Sequence, residues 1–147
     1  MNPGAPASPL SPSRFPIPVF SWPIRVYWED TDAGGVVYHA SYLRFMERAR
    51  SEWLRALGID QFELKQATGL AFMVRGMQID FLKPALLDDE LQATVAVMER
   101  RAASILFDQT ITRADGICLI RASVRVACVD IHQMRPAPIP ADVARLI

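Results

Sequence analysis

Apolar and polar positions change period along this 147-residue chain, and each change marks an element. From Trp22, the residues Ile24, Val26 and Trp28 alternate with Arg25 and Tyr27, the pattern of a half-buried strand. A loop from Glu29 to Gly35 follows. Beyond it Tyr42, Phe45, Met46, Ala49, Trp53, Ala56 and Leu57 recur at steps of three and four, with Arg44, Glu47, Arg48, Arg50, Ser51, Glu52 and Arg55 on the other side. This spacing predicts an amphipathic helix of about four to five turns, stopped by Gly58. Asp60-Gln61-Phe62-Glu63 has capping-box spacing and predicts a shorter helix reaching Gly69.

After Gly69 the period falls to two. Residues 71–82 read as one strand with Met73, Met77, Ile79 and Phe81 on a face that Arg75 interrupts. Leu91, Ala93, Val95 and Val97 define the next strand, and Ile105, Phe107, Gln109 and Ile111 the one after. Residues 117–130 form a nearly continuous apolar strand broken by Arg121 and Arg125, and Ala114-Asp115-Gly116 before it signals a tight hairpin. Short connections make these strands antiparallel. The long helix has no helical partner of similar length to cover its apolar stripe, so the sheet must do so. The fold class expected is α+β: a long central helix wrapped by a curved antiparallel sheet of about five strands.

Residues 1–21 contain six of the eleven prolines, which predicts a disordered extension, with the folded domain spanning 22–147. Lysine plus arginine equals aspartate plus glutamate at 16 each, which gives no electrostatic reason to expect nucleic acid or an acidic membrane as partner. No apolar run is long enough to predict membrane insertion, and no signal peptide is legible, so a cytoplasmic protein is expected. Cys118 and Cys128 share one strand face too far apart to pair. With only two histidines, His39 and His132, no metal site is predicted.

The candidate chemistry lies in the loop before the long helix, E-D-T-D-A-G-G-V-V-Y-H at residues 29–39. A helix start presents unpaired N–H groups and a positive dipole end, which can stabilise an oxyanion. Gly34 and Gly35 allow tight backbone and close approach of a ligand. Carboxylates can act there as nucleophile or general base, while Tyr38 and His39 add a hydroxyl and an imidazole. The set suits attack on an activated carbonyl. An ordinary acid-rich turn explains the same residues equally well when composition is the only guide. No phosphate-binding G-x-x-x-x-G-K-[ST] loop and no G-x-S-x-G serine elbow is present.

The run R-V-Y-W-E-D-T-D-A-G-G-V-V-Y-H-A-S-Y-L-R-F-M-E-R-A-R (25–50) closely resembles the signature of the 4-hydroxybenzoyl-CoA thioesterase family, in its YbgC branch of acyl-CoA thioesterases associated with the Tol-Pal system. The likeness continues through A-F-M-V-R (71–75), F-L-K-P-A (81–85), L-D-D-E-L (87–91) and V-A-C-V-D (126–130). It implies the hotdog fold and hydrolysis of an acyl-CoA, or an acyl carrier protein thioester, without metal or cofactor. Carried over by motif position, the catalytic carboxylate is Asp32, with Glu29 and Asp30 as turn or supporting residues. Gly35, Tyr38 and His39 line the thioester site, and a backbone N–H near Ala71 or Phe72 is a further donor, contributed by a facing subunit. Arg101 and Ser104 match positions that hold CoA phosphates; a solvated turn is the alternative for Arg100-Arg101. The resemblance also implies a homodimer or a homotetramer built as a dimer of dimers.

Two other functions compete. A hotdog dehydratase would use His39 with Glu47, but eight residues of helix set these about two turns apart. A non-catalytic acyl-CoA-binding protein of envelope assembly would leave the acidic loop without purpose. The acyl group stays open between short aliphatic, longer aliphatic and aromatic, with Phe72, Met73, Met77 and Phe81 as candidate wall residues.

Overall fold

A computed structural model describes residues 19–147; the expected extension at 1–18 lies outside them. In chain order the elements are β1 (Phe20–Arg25), a single 3-10 turn (Trp28–Asp30), α1 (Ser41–Ala56), α2 (Gln61–Thr68), β2 (Leu70–Phe81), β3 (Glu90–Arg100), β4 (Ser104–Arg113), β5 (Cys118–Asp130), the two-residue β6 (Arg135–Pro136) and α3 (Ala141–Ala144). The sheet runs β1-β3-β4-β5-β2, antiparallel throughout, with β6 on the end of β5. Tyr42, Phe45, Met46, Ala49 and Leu54 of α1 are buried against Leu91, Ala93, Val95, Ile105, Phe107, Ile111, Ile120, Ala122, Val124 and Val126 of the sheet. The α+β architecture with a sheet around one long helix is as expected.

The helix ends follow from local chemistry. Gly58 at φ 84° follows α1, and Gly69 at φ 71° closes α2. Asp60 Oδ1 accepts the Glu63 N–H at 3.0 Å, capping the start of α2.

Four expectations need correction. β1 begins at Phe20, two residues before the expected boundary, and Phe20 pairs with Val95. It also ends early, at Arg25, because the Asp30 carboxylate accepts the Tyr27 N–H and winds the chain into the 3-10 turn; Trp28 is consequently 80% exposed. In β2 the register shifts between Val74 and Gly76. Arg75 is the extra residue of a β-bulge, so Phe72 and Val74, not Met73, share the inner face with Met77, Ile79 and Phe81. Finally, Arg50 does not belong to the polar side of α1. It is buried, and its Nη1 donates to Gln109 Oε1 at 2.9 Å.

The outer face of the sheet is polar. Thr94 and Thr110 hydroxyls meet at 2.7 Å across β3 and β4. Asp108, half-buried one step further on, has its carboxyl pKa pushed up by burial, with Arg121 pulling it back only in part. A carboxyl whose pKa is raised on folding favours the native state most at low pH, and that contribution is lost as pH rises through the folded value. Asp108→Asn is therefore expected to stabilise the protein at pH 7–8 and to lose that advantage on acidification, read as the difference in Tm between the two proteins from pH 8 downward. A Tm gain independent of pH would contradict this.

Candidate active site

The acidic loop is closed at its neck by backbone bonds. Thr31 and Val37 form an antiparallel bridge, and the Tyr38 N–H donates to Asp30 O at 2.8 Å. Inside the neck, Asp32 N–H donates to Val36 O at 2.9 Å and Gly35 N–H returns to Asp32 O at 3.0 Å. Gly35 sits at φ 82°, a conformation that side chains disfavour. Asp32 Oδ1 accepts the Gly34 N–H at 2.8 Å, and a Cβ added to Gly34 would lie 3.0 Å from that oxygen. Gly34 thus keeps clear the space the carboxylate occupies. The other Asp32 oxygen has no partner among the described residues, and the side chain is exposed.

Beneath this exposed acid lies a rigid base. Asp30 is only 4% exposed, and its Oδ2 accepts the Tyr27 N–H at 2.8 Å. The Val37 N–H donates to Ala85 O at 2.9 Å, and the Ala85 N–H donates to the hydroxyl of Tyr42, the second residue of α1, at 2.9 Å. Loop, crossover segment and helix entrance are therefore tied in one chain of bonds. Burial pushes the Tyr42 hydroxyl pKa up, and the charges of Asp89 and Asp32 push the same way, which brings the loop acid within electrostatic reach of the first helical turn. No side chain caps α1 at Ala40; the Ser41 N–H donates to Tyr38 O at 2.8 Å and the Leu43 N–H to Ala40 O at 3.1 Å, which leaves the Tyr42 N–H and the positive dipole end toward the loop.

Tyr38 and His39 stand between the loop and α1. Their rings meet edge-on with centroids 4.6 Å apart, and His39 meets Phe81 at 6.3 Å. His39 is held by aromatic packing rather than by a hydrogen bond to the loop among the described residues. Glu47, the acid paired with His39 in the dehydratase reading, instead accepts the Ser51 hydroxyl at 2.7 Å.

Ala71 and Phe72 lie at the start of β2. This strand pairs with β5 on one side only, so every second N–H of its outer edge is unpaired among the described residues. On the inner side, a cavity of about 60 Å³ is bounded by Glu47 and Arg50 of α1, Phe72 and Val74 of β2, and Phe107 and Val126 of the sheet. On the outer side, over the same bulge, a larger cleft of about 440 Å³ is lined by Arg75, Gln78, Arg101, Ser123 and Arg125. Arg101 faces this cleft and pairs with Glu99. Ser104 does not line it: its hydroxyl is buried and accepts from Arg125 Nη1 at 3.4 Å. Arg100 points elsewhere, donating to the carbonyls of Ala144 and Ile147 at the chain end.

Three groups here escape the sequence pattern, and Arg50 alone carries a spacing signal that places it. Arg50 lies four residues after Met46 and so belongs to the buried stripe by spacing alone. Arg75 and Arg125 were visible as charges breaking apolar runs, but only the bulge and the cross-strand register place them on one face. The Tyr42 hydroxyl was hidden by the ring's own apolar role.

The family model described as "Thioesterase-like superfamily" matches residues 26–147. An "Acyl-CoA thioesterase YbgC" of Haemophilus influenzae is 50% identical over 124 residues, covering 84% of this chain and 90% of that protein. Among solved structures, a probable thioesterase from Bartonella henselae superposes with a TM-score of 0.79 at 35% identity, over 84% of this chain and 100% of its own. A 1,4-dihydroxy-2-naphthoyl-CoA thioesterase from Synechocystis gives 0.81 at 26% identity, over 88% and 96%. Both share the curled antiparallel sheet about a central helix described above.

Proposed function

This chain belongs to the thioesterase-like superfamily, and we propose on that premise that it hydrolyses the thioester of an acyl-CoA to a free acid and CoA thiol, with Asp32 as the catalytic residue. It has the hotdog fold and is a thioester hydrolase. The observation that carries the finer reading is the acidic loop itself: an exposed carboxylate with one oxygen fixed by Gly34 N–H and the other free, tied by backbone bonds to the uncapped start of α1.

In this reading the thioester carbonyl lies between the free Asp32 oxygen and the helix start. Asp32 either attacks the carbonyl carbon or takes a proton from an attacking water. The carbonyl oxygen gains negative charge, which the Tyr42 N–H and the helix dipole stabilise by a few kcal/mol once water is excluded. Collapse breaks the C–S bond, and the thiolate leaves and takes up a proton; in the nucleophilic route a water then hydrolyses the acyl–Asp32 anhydride to the free acid and the regenerated carboxylate. Gly35 permits the loop's turn, and Tyr38 and His39 wall the site. An N–H from the Ala71–Phe72 stretch of a second copy is a further donor; the unpaired outer edge of β2 supports a homodimer, or a dimer of dimers, joined along it. The 50% identity to a protein named as an acyl-CoA thioesterase favours CoA esters over other thioesters. Acyl carrier protein esters are the alternative substrate, and a place beside the Tol-Pal system rests on the YbgC likeness.

Thiol release from short, long and benzoyl CoA esters tests this directly. Turnover of at least one class, ranked by kcat/KM, is expected. No release from any CoA ester at micromolar enzyme would sink the acyl-CoA reading.

A further inference from the structure

Arg50 is a buried cation without a counter-ion among the described residues. Its side chain is 9% exposed, and its one hydrogen bond runs from Nη1 to Gln109 Oε1, a neutral acceptor. Nε and Nη2 have no partner there, and no carboxylate pairs with the guanidinium. Arginines buried this deeply are ordinarily paired, because an uncompensated charge in the interior is costly. Nor are the two free nitrogens sealed in: the fully enclosed, unbonded side-chain polar atoms among the described residues are Ser41 Oγ and Arg121 Nε. The open space beside Arg50 is the inner cavity of about 60 Å³, which it lines together with Phe72, Val74, Phe107 and Val126.

The other polar groups at this cavity bond one another. Gln61 Nε2 donates to Ser51 Oγ at 3.3 Å, and the Ser51 hydroxyl donates to Glu47 Oε1 at 2.7 Å. Glu47 is exposed, so water screens its charge, whereas the Arg50 charge acts at close range inside. Burial pushes the Arg50 pKa down and Glu47 restores only part of it, so this carboxylate does not stand in for a bound anion. A water takes roughly 10–15 Å³ of such space, so the cavity has room for about four, or for a carboxymethyl group in their place. The Nε–Nη2 edge of a guanidinium offers two parallel N–H donors, which match the two oxygens of a carboxylate. An alkyl end would displace water from Arg50 without replacing its hydrogen bonds, which counts against a plain chain.

Position connects this cavity to the reaction. Phe72 forms part of its wall and belongs to the stretch of β2 that, in the reading above, meets the thioester held by a second copy's Asp32. An acyl chain leaving that carbonyl along Phe72 enters the cavity that Arg50 lines. Resting on that thioesterase reading, we infer that Arg50 is a specificity-determining residue, whose Nε–Nη2 edge binds a carboxylate at the far end of the acyl group. The enzyme then favours thioesters of dicarboxylic acids over unsubstituted aliphatic esters of the same length.

The test separates binding from turnover. S-(4-carboxybutyl)-CoA and S-pentyl-CoA are thioethers of equal length that a thioesterase does not cleave. Both, with shorter and longer homologues of each, are titrated by calorimetry into wild type, Arg50→Lys and Arg50→Met/Gln109→Leu. At the best length wild type is expected to bind the carboxylate ligand at least tenfold more tightly than the alkyl one. That preference is expected to persist at physiological salt, because the pair is buried. The double variant removes the cation and its acceptor together, and it is expected to lose the preference while still binding S-pentyl-CoA. Arg50→Lys replaces the planar fork by a point charge and is expected to fall between the two. Hydrolysis of glutaryl-CoA and pentanoyl-CoA by wild type should show the same preference in KM. Equal affinity of wild type for the two ligands at every length, or a preference unchanged in the double variant, overturns the inference. Hydrolysis of pentanoyl-CoA with no carboxylate preference would overturn the Arg50 site and leave the catalytic reading standing. A carboxylate preference that the double variant abolishes, in a protein that cleaves neither ester, would support the site and overturn the catalytic reading instead.

Discussion

Asp32→Asn is expected to lower kcat by roughly 10²–10⁴-fold, the range a positioned proton-transfer group contributes, or about 3–5 kcal/mol of transition-state stabilisation. The substitution keeps the shape of the side chain. Its amide oxygen can still accept the Gly34 N–H, so the loop bond of 2.8 Å survives. The site is exposed and no other side chain is bonded to it, so folding stability should change by less than about 0.5 kcal/mol. The loss should therefore fall on kcat, with KM little altered and the Tm intact. The two chemical roles open to Asp32 differ before the steady state. A nucleophile forms an acyl-enzyme and can release a burst of thiol equal to the enzyme present; a general base gives no burst. Turnover of Asp32→Asn within tenfold of wild type would remove the carboxylate from the mechanism.

How much of this was legible beforehand depended on whether a feature was local. The α1 helix, the Asp60 cap and the glycines after both helices come from short-range spacing and lie where expected, although the buried stripe of α1 takes in Arg50 and Leu54 while Ala56 is exposed. The first strand differs from its sequence pattern at both ends. Alternation continues to Trp28 in the sequence, but a single bond from the Asp30 carboxylate to the Tyr27 N–H decides the backbone there. In β2, Arg75 interrupts the apolar face, yet a two-residue period has no way to announce an inserted residue. Only pairing with β5 shows that the face changes at the bulge. The site divides in the same way. The loop's residues are contiguous and were read from the motif, whereas its ties to Ala85 and Tyr42, and the convergence of arginines from three strand regions, depend on contacts distant in sequence.

The largest effect on stability is expected at Gln109. Its side chain is fully buried on β4 and uses all its near partners: Nε2 donates to Met46 O at 3.2 Å and Thr94 O at 3.1 Å, while Oε1 accepts from Arg50 at 2.9 Å. One amide thus joins α1 to β3 and β4 and satisfies a buried guanidinium. Burial already pushes the Arg50 pKa down, with Glu47 offsetting only part of it. Gln109→Leu keeps similar volume but leaves the cation without its acceptor, which should cost about 3–5 kcal/mol, as for other broken buried charged contacts. At about 3–4 °C of Tm per kcal/mol for a chain of this size, the loss is roughly 10–20 °C. Arg50→Met alone should cost less, because it leaves neutral groups unpaired rather than a charge. In the double variant both polar partners are gone, and apolar groups of similar shape replace them. That protein should be more stable than Gln109→Leu alone, with a coupling of about 1–3 kcal/mol in the cycle of four Tm or denaturant curves. Strict additivity of the two single losses would mean that the bond at 2.9 Å contributes nothing of its own, leaving the Gln109 Nε2 bond to Met46 O as this amide's tie to α1.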